Sequence, residues 1–597
     1  MKSWAQRERA LETLAKEIGY VKKPHGGRVR VALAFPNTYW VGMSNLGFQT
    51  VYRLFNDQDD IVCERFFLPP KTELAEISAA KAPLLTLESQ TPVGDFDVVA
   101  FSVSFEWDYV NVLTLLRLAG IPARAEARTS RHPLILIGGA VTFVNPEPLA
   151  PFADVIAAGE GEALVPGLRR AFAAAADRAD LLRRLALERG FYVPSFYEPH
   201  YVVGGAVAGL VGGAAAGAAA GTLAGYTVKP GAEAPLPVRK AALKTTEAVD
   251  PPATGIFTPD TEFGSRFLIE VVRGCANLCR FCWAGYNYLP VRAFPTGRII
   301  ELAAAARVHS SRVGLVSIAL CDHPDIEHIL ARLLEMGYAI SPASLRLDDL
   351  TESIVRVLRE SGERTITIAP ETGSDRLRRV INKTVTNEEI LDRAELIFAS
   401  GIENLKLYYM IGVPTETDED LVAIRDLTVQ IRDRMLKHAR LKGQIGRIVG
   451  SVNPLIPKPG TAYQWLPMEE SSMVERKIKR LRALMSGIDN VYFNIKSERH
   501  SYYQALLSLG DRRVAPAIEA AERNGQNWRA AVAEAGIDGD FYIFRDRTGD
   551  AMLPWDIIDG GLKASFFHTE FEKGLREEWT LPPKRAQENA KLLPVIQ

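Results

Sequence analysis

Cys275, Cys279 and Cys282 fall close together in a 597-residue chain whose only other cysteines are Cys63 and Cys321. Clustered thiols read as a metal site in a reducing compartment, because a disulfide framework spreads its cysteines along the chain. The C-x3-C-x2-C spacing in RGCANLCRFCWAG can offer three thiolates to three irons of a cubane 4Fe-4S cluster, leaving one iron open. An open iron can chelate the amino and carboxylate groups of S-adenosylmethionine. An electron passed into the sulfonium then breaks its carbon–sulfur bond and releases a 5'-deoxyadenosyl radical. The competing reading is zinc, which wants four tetrahedral ligands. The nearest further cysteine, Cys321, stands alone at the end of another predicted strand.

Strand–helix repeats must position that loop. From Phe267 the pattern predicts strands at 267–271, 313–318, 344–347, 365–368, 404–409 and 447–453, each followed by a helical stretch. Six such units predict a partial βα barrel, with its chemistry at the strand C-termini. The cysteine loop follows the first of them. Residues 1–175 predict a second α/β unit, a doubly wound parallel sheet of strands at 29–35, 61–67, 98–103, 134–137 and 154–158. Its strand ends are polar or glycine-rich: PNTYWVGMSNLG, SVSFEW, GGAVTFVNPEP and GEGE. Between these units, 176–262 reads as a helical and Gly/Ala/Pro-rich linker, the barrel as 263–490, and 491–597 as a small, mostly helical C-terminal domain.

The rest of the chain narrows the function classes. Lys and Arg total 71 against 72 Asp and Glu, so nothing draws the whole molecule to a polyanion, and a nucleic-acid partner needs a local patch. KSERHSYY and GDRRVAP interleave basic and aromatic residues, for which a solvated helix face is the expected reading. Lys458, Tyr463 and Trp465, after the last barrel strand, suit either a substrate lid or a packing loop. The tract 202–226 is uncharged and long enough to cross a bilayer, but Gly and Ala gain little from lipid, so a linker or small hairpin is expected. The N-terminus lacks the apolar core of a signal peptide, which predicts a cytoplasmic protein without a membrane span.

The cysteine spacing, with aromatic Phe281 before the last cysteine, resembles the radical SAM superfamily. SPASLRLDDL, TITIAPETGSDRLRRVINK and LKLYYMIGVPTETDEDL extend the resemblance to the subgroup shared by cobalamin-dependent radical SAM proteins and methylthiotransferases. The resemblance implies that Phe281 lies near the adenine and that Glu371 contacts the nucleoside. It implies a backbone edge at Gly412 and Pro414, and Ser344 and Arg346 at the methionine end. Glu371 also admits a plain reading as an N-terminal charge of the helix starting near Ser374. Cys321 reads as a small buried residue or a pocket wall.

A doubly wound domain before such a barrel resembles the cobalamin-binding domain of the cobalamin-dependent branch. The sequence lacks D-x-H-x-x-G, whose histidine binds cobalt from below. The resemblance then implies the loop Gly42–Gly47, with Ser44, below the corrin. It places Ser104, Gly138, Gly139, Gly159, Glu160 and Gly161 beside the nucleotide tail. Taken singly, these glycines fit tight strand-to-helix turns equally well. Methylthiotransferases carry three N-terminal cysteines, and only Cys63 is present here. With LPWDIIDGGLKASFFHTEFEKG near the end, nearly the whole chain resembles cobalamin-type radical SAM proteins of unassigned substrate. The implied activity is methyl transfer to an unactivated carbon of a small molecule, peptide or RNA, with a reductant such as flavodoxin or ferredoxin. A cobalamin-independent rearrangement or cyclisation is one alternative, and a non-catalytic Fe-S sensor acting on RNA is another.

Overall fold

The computed structural model describes residues 4–203, 206–207, 219–342, 345–442 and 445–581. In the N-terminal part, β1 (Val29–Phe35), β2 (Ile61–Phe67), β3 (Val98–Ser102), β4 (Leu134–Gly138) and β5 (Val155–Ala157) stand where the apolar runs place them. They pair in parallel in the order β2-β1-β3-β4-β5, with β6 (Phe191–Tyr192) antiparallel at the edge. The chain reverses its winding between β1 and β3, and a crevice opens there beyond the strand ends. The strands are near-continuous apolar runs because helices cover both faces.

Buried ion pairs lock the sheet. The Arg65 guanidinium on β2 is fully buried and meets Glu17 at 2.7 Å and Glu88 at 2.7 Å. Cys63, two residues earlier on the same strand, is fully buried, and burial pushes its thiol up, as for a small apolar residue.

The barrel strands are β7 (Phe267–Glu270), β8 (Arg312–Val316), β9 (Ala339–Pro342), β10 (Thr365–Glu371), β11 (Asn404–Ile411), β12 (Ile448–Pro454) and β13 (Val491–Ile495). Two of these depart from the sequence expectation. The third strand is Ala339–Pro342, not 344–347. Leu345 and Leu347 alternate because a loop folds them into the barrel core, where they are 8% and 6% exposed, and the chain then turns at Leu347–Asp349. The barrel also gains a strand, β13, at the point where the sequence reading ends the barrel; its residues are half-exposed or exposed, as at a sheet edge. Among the described residues the strands form two parallel sheets, β7-β8-β9 and β10-β11-β12-β13, around one apolar core.

The connection is more ordered than a linker. Tyr197–Val203 pairs antiparallel with Leu223–Val228, so the flanks of the Gly/Ala tract form hairpin arms, while most of the tract lies outside the described residues. Among the described residues no helix is long and apolar enough to cross a membrane.

The C-terminal helices share one apolar core with the N-terminal sheet: Leu506, Ile518 and Trp528 pack with Phe101, Tyr109 and Leu116. The two basic-aromatic segments divide: Lys496 and Arg499 are exposed, as expected of a solvated face, while His500 and the GDRRVAP arginines lie in this contact. The His500 ring lies 4.5 Å from that of Trp107, Arg512 meets buried Glu147 at 2.8 Å, and Arg513 covers the Tyr201 ring at 3.8 Å. Lys458 is likewise a packing residue: it pairs with Glu106 of the N-terminal unit, while Tyr463 is buried with its hydroxyl on the Val380 carbonyl.

Breaking a buried pair leaves a charge without compensation, at about 3–5 kcal/mol. Glu88→Ala is therefore expected to destabilise the protein by about 3 kcal/mol, read as a lowered urea midpoint, with the fold retained through the remaining Arg65–Glu17 pair.

Candidate functional site

Strand β7 delivers the chain into a short antiparallel pair, Val272–Arg273 with Arg292–Ala293, and the cysteine loop lies between the two. The loop is strained at Leu278, which holds φ +52° without being glycine. Cys275 and Cys279 are 8% and 9% exposed, and Cys282 begins the helix Trp283–Asn287. Burial raises all three thiols; Cys279 also feels the charge of Cys282 and Cys275, and Cys275 that of Cys282. Backbone N–H groups oppose that rise, donated by Asn277 to Cys275 and by Ala284 and Gly285 to Cys282. Among the described residues the side chains as placed do not close into a metal-binding group; three thiols in one loop, two of them supplied with amide donors, nonetheless have the donor chemistry of a 4Fe-4S cluster, whose uptake would release their protons.

Glu371 ends β10 with φ +65°, and its carboxylate accepts from Lys383 Nζ at 3.2 Å. Burial lifts the Glu371 carboxyl and Lys383 opposes it, while Glu371 and Cys279 outweigh burial to raise Lys383. Helix Asp375–Ile381 starts where expected, with Ser374 as its N-cap, and Glu371 lies three residues before that cap at the end of β10, outside the first turn. Phe281 packs on Leu377, Val380, Met410 and Val413, which brings it beside the Gly412–Pro414 segment. The Gly412 N–H donates to Glu416 at 2.8 Å, so that amide serves the loop itself. Thr415, with φ +64°, completes a ring of strained non-glycine residues around the site.

Arg346 reaches Asp322 at 3.0 Å and Asp349 at 3.1 Å, with Asn277 of the cysteine loop at 3.5 Å. It therefore ties barrel loops to the cluster loop, and a methionine carboxylate there would share it with two aspartates. Cys321 sits in the turn Leu320–Asp322, past the end of β8, with its sulfur 3.5 Å from the Asp349 carbonyl. Ser344 lies outside the described residues.

A cavity of about 620 Å³ lies between the cluster loop and the C-terminal ends of β1, β3, β4 and β5. That is a ligand-sized volume at the switch point of a doubly wound sheet. Leu33 and Leu136 wall it from the sheet, Val51 and Phe55 from the helix Leu46–Asn56, and Val272, Trp283 and Tyr288 from the barrel side. No histidine lines it among the described residues. Apolar walls with a glycine-rich polar rim fit a large ligand with flat apolar faces, such as a corrin.

Gly47, Ser104, Gly138, Gly139, Gly159, Glu160 and Gly161 all line this cavity. Gly42 and Ser44 do not: Gly42 packs against Phe35 and Phe67, and the Ser44 hydroxyl serves the Trp40 carbonyl and the Glu262 amide. Gly139 and Gly159 also have a backbone reason. Both hold positive φ, and a Cβ would lie 2.2 Å from the Val103 carbonyl oxygen or 2.1 Å from that of Ala241.

Glu160 does more than flank a ligand. Its carboxylate takes Arg292 at 2.7 Å and Arg273 at 3.2 Å, and Arg273 also meets Glu162 at 2.9 Å and Glu270 at 2.7 Å. Burial lifts the Glu270 carboxyl above its usual range, with Arg273 opposing. These arginines and Lys383 were not singled out from the sequence. Nearness to Cys275 was the one available signal for Arg273; of its carboxylate partners Glu270 is three residues away, while Glu160 and Glu162 lie at the start of a remote helix. A second cavity, of about 940 Å³, borders the other side of the helix Trp283–Asn287 through Tyr286 and Asn287. It shares Phe143 with the first and is lined by Trp465, Trp555, Asp556 and Phe567.

Comparison with known proteins places these features. The description "Radical SAM proteins, N-terminal" matches residues 47–194, and "Radical SAM superfamily" matches residues 269–428. An uncharacterised protein of Methanocaldococcus jannaschii, MJ0966, is 27% identical over 496 residues, covering 82% of this chain and 90% of that protein. A tRNA-2-methylthio-N(6)-dimethylallyladenosine synthase of Thermotoga petrophila is 23% identical over 272 residues, 43% of this chain and 55% of that protein. Among solved structures, the radical S-adenosylmethionine methyltransferase TsrM from Kitasatospora setae, with cobalamin and a [4Fe-4S] cluster bound, aligns with TM-score 0.47 and 12% identity over 85% of this chain and 99% of that one.

Burial alone would raise Glu160, yet Arg292 and Arg273 hold it below the usual carboxylate range. Its folded pKa thus lies under the unfolded value near 4.3, so its stabilisation is present above that pH and lost as pH falls through the folded pKa. Glu160→Gln is expected to lower stability at neutral pH and to flatten the loss of stability below pH ~4.3, read as urea midpoints across the acid range.

Proposed function

This chain belongs to the radical SAM superfamily, and from that premise we propose that it is a cobalamin-dependent methyltransferase acting on an unactivated carbon. The observation that carries the reading is the ligand-sized cavity at the sheet's switch point, walled on its far side by residues flanking the cysteine loop. Such a chamber sets a corrin site directly against the site of radical formation.

A 4Fe-4S cluster, when bound, supplies single electrons and an open iron, and cobalamin supplies a methyl group. Cys275, Cys279 and Cys282 would hold the cluster, whose open iron would take the amino and carboxylate groups of S-adenosylmethionine. Phe281, packed beside Val413, offers an apolar face to the adenine, and Glu371, held by Lys383, offers a carboxylate to the nucleoside hydroxyls. Trp283 and Tyr288 wall the chamber and exclude water from a radical that water would otherwise disperse. The 940 Å³ cleft, which has the Phe143 side chain in common with the chamber's lining, is the side assigned to substrate entry.

Cys279→Ala is expected to abolish both the brown chromophore and 5'-deoxyadenosine formation after anaerobic reconstitution. Deoxyadenosine formation at the wild-type rate would sink the assignment. Cobalamin is tested separately. Gly138 has an ordinary backbone, and a Cβ there would find only van der Waals contacts, the nearest 3.7 Å away on Ala157. Gly138→Leu should therefore fill part of the chamber, remove the corrin absorbance of the reconstituted protein and leave its iron content at the wild-type level. A wild-type protein that binds iron and cleaves S-adenosylmethionine but takes up no corrin would favour a cobalamin-independent rearrangement.

A further inference from the structure

Arg280 stands between Cys279 and Phe281, inside the cysteine motif, yet its side chain is directed away from the thiols. It is 0% exposed. Its guanidinium donates to the carbonyls of Arg379 at 2.7 Å, Val380 at 3.1 Å and Glu578 at 2.9 Å, and pairs with the Glu570 carboxylate at 3.2 Å. Glu570 is 1% exposed, lies on the C-terminal helix Ala564–Leu575 and also accepts from the Thr580 hydroxyl at 2.6 Å. Two further contacts converge on the same loop. The Asn382 amide donates to the carbonyls of Asn277 and Leu278 at 3.2 and 3.3 Å and to that of Thr580 at 3.0 Å, while its oxygen accepts from the Thr580 N–H at 2.9 Å. Phe567 stacks on Tyr286 at 5.6 Å, one turn beyond Cys282.

We propose that the segment 564–580 is a clamp that positions the cysteine loop, with Arg280 and Glu570 as its positioning pair. The inference rests on the cluster-binding reading of the three cysteines and adds how their loop is kept in shape. Leu278, at φ +52°, holds a conformation that persists only where surrounding contacts over-determine it. Asn382, itself bonded to Thr580 of the clamp, holds the Asn277 and Leu278 carbonyls, while the clamp's own contacts fall on Arg280 and on the Tyr286 ring. A motif of three cysteines can close around a cluster only while its ligands keep their separations, and the far end of the chain supplies part of the contacts that fix them. The FFHTEFEKG segment thereby acquires a role that its sequence alone does not display.

The test compares Glu570→Gln with Glu88→Gln, a remote substitution in another fully buried arginine–carboxylate pair. Full-length proteins are reconstituted with iron and sulfide, and the loss of the cluster chromophore to excess EDTA is followed anaerobically. The electron paramagnetic resonance spectrum of the reduced cluster is recorded alongside, with and without S-adenosylmethionine. Glu570→Gln is expected to speed cluster loss at least tenfold and to broaden the spectrum. Glu88→Gln, with a comparable loss of thermal stability, should stay within twofold of wild type and keep its spectrum. Phe567→Leu, a milder change, should show the same trend should Glu570→Gln not accumulate. If Glu570→Gln and Phe567→Leu keep wild-type cluster lifetimes and spectra, or if lifetimes merely follow thermal stability in all variants, the clamp is refuted while the cluster assignment stands. If wild type itself takes up no four-iron cluster, both fall.

Discussion

Arg273 lies two residues before the first cluster cysteine and is gripped by carboxylates from both halves of the molecule. Glu160 and Glu162 come from the N-terminal unit and Glu270 from the first barrel strand, and Arg292 answers Glu160 from the paired strand. A buried arginine so placed has large desolvation to offset, and removing one carboxylate costs more than the pair itself contributes. The geometry is therefore held tightly: the sheet that walls the cavity and the loop that carries the thiols cannot move apart without exposing unpaired charge. The cavity, the cluster loop and their mutual distance all depend on that network.

Strain is stored around the same place. Leu278, Glu371 and Thr415 hold left-handed backbone conformations without being glycine, each at a loop meeting the barrel's open end. Such conformations persist where contacts over-determine them. Here the contacts are the Lys383–Glu371 pair, the Glu416 carboxylate on the Gly412 amide, the bond from Asn382 to the cysteine loop and the bond from Arg280 of that loop to the Arg379 carbonyl. The open end of the barrel is thus preorganised by polar bonds, while apolar packing holds the strands below it.

Contacts remote in sequence recur throughout. The C-terminal helices complete the apolar core of the N-terminal sheet, Lys458 reaches back to Glu106, and Arg512 reaches back to Glu147. Segments that read as a lid or a solvated face are consumed in joining the ends of the chain around the barrel. A charged or aromatic residue is as suitable for a buried, partnered contact as for a solvated one, and only the partner decides.

The sequence by itself determined which chemistry the three thiols suit, since cysteines at that spacing have few uses, and it determined most of the strands, since continuous apolar runs between helical stretches admit little else. β1 and β2 lie where the apolar runs predict them. It misplaced the third barrel strand because Leu345 and Leu347 alternate like a strand while lying in a loop. Only the tertiary structure decided which polar groups meet: that Glu160 serves Arg292 and Arg273, that Gly42 faces core phenylalanines instead of the cavity, and that Glu570 completes a loop hundreds of residues away. Periodicity is local and survives in a single sequence. Pairing across the fold depends on distances that no local pattern records.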